Sequence, residues 1–164
     1  MHQSARRRTC GQSIIETVVG IIFMIPIVLF LFDVAVLVLA NTANDNLAKQ
    51  AARAAASAVD PNNANQGTAT VGQAAAQNTV NHFATSGFID NVQFAYMVYN
   101  GSAVTVSSAL GTPPALATND PGTGNVAVTI AMEARAPVPF PGFNTQRVFW
   151  ARAVEPIVAL PPAP

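Results

Sequence analysis

Hydrophobic positions fall along this chain in three rhythms. From Val18 to Ala40 they run almost unbroken, 23 residues interrupted only by Gly20, Pro26 and Asp33. As a helix such a run is about 35 Å long, against a hydrocarbon core of ~30 Å, so it predicts one membrane-spanning helix. After a polar stretch from Asn41 to Asn46, strong helix formers return from Leu47 to Val59, with seven alanines among them. This predicts that the helix continues from Thr17 to Val59, where Asp60-Pro61 stops it. A second helix is predicted from Ala69 to Ser86, carrying Val71, Ala75, Val80, Phe83 and Ala84, with Gly87 as its stop.

The third rhythm is alternation. Val92 to Tyr99 and Ser102 to Ser107 flank Asn100-Gly101, a strong short-range hairpin signal because both turn positions need positive φ. Val126, Val128, Ile130 and Met132 alternate with Ala127, Thr129, Ala131 and Glu133, which predicts a strand buried on one face. A last strand is predicted near Arg147 to Glu155. Together these patterns predict an α+β protein: a long N-terminal transmembrane helix continuing into an alanine-rich helix, then a second helix and a small antiparallel sheet. The chain divides into a basic leader (1–11), a transmembrane helix (12–40), an alanine-rich helical spine (41–59) and an extracytoplasmic α+β domain (60–164).

Charge sets the orientation. Three of the eight basic residues are Arg6, Arg7 and Arg8, just before the apolar run, while the segment just beyond it is neutral. The positive-inside bias then keeps the N-terminus in the cytoplasm and sends the rest outside. Beyond the leader five basic residues face eight acidic ones, a balance that argues against a nucleic-acid surface. The single cysteine, Cys10, forms no internal disulfide, and no zinc or redox motif with cysteine ligands is possible. His82 has leader His2 as its only fellow histidine, so it reads as a surface or half-buried polar residue and no metal is expected. The sequence contains no recognisable Ser/His/Asp set, carboxylate pair near a histidine or phosphate-cradling glycine loop, and neither an enzyme nor a cofactor is expected.

Several positions keep two readings. Pro26 is a tolerated kink or a site where the helix locally unwinds. Asp33 costs about 2.5–3.5 kcal/mol at a helix centre on insertion scales, and it reads either as a wet interfacial acid or as a contact within a helix bundle. Glu16 stands alone at the mouth of the apolar run, where the helix dipole favours an acid. The alanines from Leu47 to Val59 suit close packing against neighbouring helices or against the chain's own domain. Asp45 and Lys49 stand four apart in the favourable order, with Arg53 extending that charged face. Pro137 to Phe143 is a proline-rich crossover or rigid edge, in which Phe140 and Phe143 cap the domain's core or meet a partner. A rival for the N-terminal segment is a secretory signal peptide cut after Ala40, releasing a soluble binding module from Asn41; the apolar run is long for that role.

The junction Arg8-Thr9-Cys10-Gly11-Gln12-Ser13-Ile14-Ile15-Glu16 resembles a type IV prepilin leader. In that family a membrane peptidase cuts after a glycine at the cytoplasmic face, and a glutamate lies five residues into the mature chain. Those roles map to Gly11, with Gln12 as the new first residue, and to Glu16. A carboxylate entering lipid is costly unless a cation neutralises it, and the new amine of a neighbouring subunit supplies one. With Asp33 late in the helix and Ala51-Ala52-Arg53 beyond it, the chain from Arg6 to Ser57 is similar to TadE-like minor pilins or pseudopilins of the tight-adherence (Tad, type IVb) pilus. Thr17 departs from the aromatic that commonly follows the glutamate there. The resemblance implies a pilin-like fold, Glu16 and Asp33 as assembly residues, and other pilin subunits, assembly machinery, prepilin peptidase and membrane lipid as partners. It places the chain in a bacterial inner membrane as a single-pass protein, and implies a role in assembling a pilus for surface adhesion.

Overall fold

A computed structural model describes residues 6–58, 67–83, 85, 87–105, 108–115, 120–138 and 146–157, with backbone alone at 6–12 and 105. The predicted stop at Asp60-Pro61, together with Phe140 and Phe143, lies outside these residues. Helix α1 runs from Arg6 to Ala56 without interruption, 51 residues with Pro26 inside, or about 75 Å at the usual rise per residue. It begins well before Thr17 and ends three residues short of Val59. Helix α2 spans Ala69–Asn81. Strands β1 (Ile89–Tyr99), β2 (Ser102–Thr105), β3 (Asn125–Arg135) and β4 (Gln146–Pro156) form one antiparallel sheet in the order β2-β1-β3-β4.

Helix α2 starts where Thr68 caps it, its hydroxyl accepting from the Val71 amide. It stops five residues before Ser86. There the His82 amide and ring Nδ1 both meet the Asn78 carbonyl, at 3.0 and 2.7 Å, and a side chain competing for a helical carbonyl favours termination. The Asn100-Gly101 turn forms as predicted, with φ of 50° and 79°, the positive pair that a two-residue hairpin requires. Asn100 also ties the turn to β3: its Oδ1 accepts from the Gly124 amide at 2.8 Å and its own amide donates to the Asn125 carbonyl at 3.0 Å.

The core lies between one sheet face and the two helices. Leu47, Ala48, Ala51, Ala52 and Ala55 of α1 join Ala76 and Val80 of α2 and Phe94, Met97, Tyr99, Val126, Val128, Ile130 and Met132 of the sheet. The alanine-rich helix is thus packed on its own domain. Small residues permit this closeness, since a Cβ on Gly72 would stand 2.8 Å from the Tyr99 ring. The half-buried pattern predicted for β3 is corrected: Ala127, Thr129 and Ala131, on the face away from the helices, are buried too. β3 is an interior strand, and its small side chains lie between larger cross-strand neighbours such as Trp150, opposite Ala131, and Val98, opposite Ala127.

Candidate functional site

Among the described residues, the largest uncovered apolar surface is the first half of α1. Eighteen large apolar side chains from Ile14 to Leu39 are exposed on all sides of the helix, far beyond the scattered apolar exposure of ordinary soluble surfaces. This is the one helix among the described residues long and apolar enough to cross a membrane. Its polar interruptions are accommodated locally. Thr17 donates its hydroxyl to the Ser13 carbonyl and Thr42 does the same to Val38, each at 2.9 Å, so neither needs an outside partner. Pro26 cannot donate to the Ile22 carbonyl, and a hollow of about 320 Å³ lined by Phe23, Pro26, Ile27 and Phe30 opens beside it.

Glu16 is exposed at the start of this surface. Gly11, Gln12 and the arginines Arg6, Arg7 and Arg8 all lie within the helical backbone of α1. The first helical turns, the acid and the apolar run therefore form one continuous rod.

Asp33 is elsewhere in kind. It is only 6% exposed, and its Oδ1 accepts a hydrogen bond from the Val138 amide at 3.1 Å. Its hydrogen-bond partner is thus its own β3–β4 connection, which neither of the two readings of the sequence anticipated. Val36 and Ala40 are buried beside it, and Leu37 packs on the core. The apolar run and the domain overlap over these residues, so the domain begins inside the segment that composition assigns to lipid.

Two residues for which the sequence predicts no contact with the sheet complete the join. Asn44, within the polar stretch, is fully buried, and its Nδ2 donates to the Phe149 carbonyl of β4 at 3.0 Å. Arg53, which is exposed on α1, also bridges Glu155 of β4, Nε to Oε1 at 3.1 Å. The signal for both was faint: a polar side chain at the same helical stripe as Leu47 and Ala51, and an acid in a late strand.

His82 is exposed at the end of α2, beside a groove of about 470 Å³ lined also by Leu47, Gln50, Asn78, Thr79 and Phe83. Among the described residues no cluster of three or more His, Cys, Asp or Glu side chains is placed to hold a metal. Searched against family models the sequence matches none, and comparison with curated proteins and with solved structures likewise returns no match.

Proposed function

We propose that this chain is a minor pilin-type subunit, held in a bacterial inner membrane by the first half of α1 and drawn from it into a tight-adherence (type IVb) pilus that mediates surface attachment. The observation that carries the reading is the division of one unbroken helix. Its first half is apolar on every side and uncovered, while its second half is the spine of a small α+β domain. Apart from the Ile22 carbonyl, which Pro26 leaves without an amide donor, a rod of this kind satisfies its own backbone hydrogen bonds within the spanning run. It can exchange lipid for the matching rods of neighbouring subunits without unfolding. Glu16, exposed at the cytoplasmic end, is the group that a neighbour's new N-terminal amine would neutralise, after peptidase cleavage between Gly11 and Gln12.

Release of a soluble module by cleavage after Ala40 fits less well. It would remove Asp33, Val36, Leu37 and Ala40, all of them packed on or bonded to the domain.

The test is the N-terminus of the purified protein, read by mass spectrometry. Gln12 as first residue supports the pilin reading, Asn41 a secreted module, and an intact leader a permanent tether. Gly11→Ala should abolish trimming while membrane insertion persists; equal trimming in variant and parent would remove the assignment. Glu16→Leu should insert normally yet be depleted from filaments sheared off cells, and undiminished recovery would refute the role given to Glu16.

A further inference from the structure

Asp33 stands seven residues before Ala40, the outer end of the apolar run, or about 10 Å along the helix axis. The Val138 amide bonded to it is held at that same depth. Residues 136–138, which open the β3–β4 connection, therefore reach back alongside the domain's own spanning helix.

The residues around it are graded in polarity along the same direction. Pro137 is exposed and Ala136 and Val138 are half-buried. Phe88 is 40% exposed and shares with Val36, Leu39, Ala40, Ala43 and Ile89 an apolar hollow of about 260 Å³. The Phe88 carbonyl accepts from the Arg135 amide at 2.8 Å, which fixes the two segments together. Arg135 pairs with Gln146 and Arg147 with Ala134 at the end of the sheet nearest this connection, and both arginines are exposed. The Asn44 bond to Phe149 sets their level, since Arg147 lies two strand residues below Phe149, near the helix residues that end the apolar run. Two acids lie close to the same level: Glu133 is one strand residue from Ala134, which pairs with Arg147, and Asp90 falls between Ile89, opposite Ala134, and Asn91, opposite Glu133.

We propose that this rim of the domain is immersed in the bilayer that holds α1. Pro137, Val138 and Phe88 enter the acyl region of the leaflet on the domain's side, and Arg135 and Arg147 lie at the level of the lipid phosphates. The inference rests on the spanning role of α1 and adds a second membrane contact, made by the domain itself. Its occupant is phospholipid, because the rim continues the exposed apolar surface of the helix: Phe88 shares its hollow with Leu39, which belongs to that surface. The hydrogen bond between Asp33 and Val138 lowers the cost of immersion: it covers an amide that would otherwise be bare in hydrocarbon and gives one oxygen of the buried Asp33 carboxyl a donor. Arginine side chains at this height bury their stems and keep their charge among phosphates.

Spin labelling of the full chain tests the proposal. In a Cys10→Ser background, Ile22→Cys, Phe88→Cys, Val138→Cys and Thr123→Cys are labelled singly with a nitroxide, and the protein is reconstituted in phosphatidylcholine/phosphatidylglycerol vesicles. Relative access of oxygen and of a water-soluble nickel complex reports depth. Positions 22, 88 and 138 should favour oxygen several-fold more than position 123 at the far end of the sheet. Adding Asp33→Ala should shift the label at 138 toward water. If position 22 is in lipid while 88 and 138 match 123, the rim is not immersed and the inference falls, although the spanning helix stands. Shielding of 88 and 138 from both reagents would place a second protein copy on the rim, which also overturns it. If position 22 itself reads as water, the spanning role and the inference fall together. Phe88 makes the result independent of any disturbance that a label at Val138 causes.

Discussion

Asn44 is fully buried, yet only half its amide is satisfied: Nδ2 donates to the Phe149 carbonyl, while Oδ1 meets no hydrogen-bond partner among the described residues. Such a group stays in a core when its made bond outweighs its unmade one. Here the bond covers a carbonyl of β4, the last strand in the sheet order, and joins that edge to α1. Asn44→Ala should lower the domain's unfolding free energy by about 1–3 kcal/mol, the usual cost of orphaning a buried polar partner. Urea denaturation followed by Trp150 fluorescence in detergent solution measures this, and an unchanged midpoint would mean that the bond contributes nothing. Tyr99 supplies a second check at this scale. Burial of its phenol against α2 raises its pKa above the ordinary value of 10.0, so the folded chain holds a proton that the unfolded chain releases. The associated stability is fully present below the unfolded pKa and is lost as pH rises from there toward the folded value. Thermal stability should therefore fall more steeply above about pH 10 in the parent than in Tyr99→Phe.

At the scale of elements, the contact between α1, α2 and the sheet depends on side chains of minimal size. Ala48, Ala51, Ala52 and Ala55 are all fully buried, and Gly72 lies under the Tyr99 ring. Ala52→Leu should overpack this layer and cost about 1–3 kcal/mol, and Gly72→Leu should do the same by driving α2 off the ring. A depressed melting temperature with unchanged membrane insertion is the expected pattern. These elements were readable to different degrees. Periodicity was enough for the long helix, the Asn100-Gly101 hairpin and β3, because each is a local preference repeated over many residues. Which neighbours the alanines would meet could not be read, since a small apolar side chain suits a sibling helix and a sheet equally well. Both faces of β3 are buried only because β1 and β4 flank it, a consequence of strand order that alternation does not encode. The end of α2 was misjudged because a histidine ring bonding back to the Asn78 carbonyl leaves no periodic trace. Asp33 shows the same limit at the candidate site: its presence in the apolar run was plain, but its partner lies 105 residues away.

For the whole molecule, the overlap of span and domain decides where the chain can be divided. Helix α1 is uncovered from Ser13 to Phe32, then alternates between exposed and buried positions as Asp33, Val36 and Ala40 turn toward the domain. A chain beginning at Phe32 keeps the Asp33 bond to Val138 and the buried Val36, whereas one beginning at Asn41 loses both along with Leu37 and Ala40. Burying one valine side chain contributes about 1.5–3 kcal/mol, and a hydrogen bond to a charged group about 1.5–3 kcal/mol more. The shorter chain should thus be destabilised by several kcal/mol, a large share of what a domain this small possesses. Both are free of the uncovered apolar rod, so they can be compared in plain buffer by thermal unfolding and amide exchange. The longer chain should melt cooperatively at a clearly higher temperature, with slow exchange at Val138; equal melting would mean that the segment from Asp33 to Ala40 is a passive anchor. The comparison also bears on the proposed assembly, because a domain keyed to the last turns of the apolar half of α1 cannot swing freely about it. On the function proposed above, a subunit built this way would enter a filament as one rigid piece, its domain orientation set by the rotation of the rod.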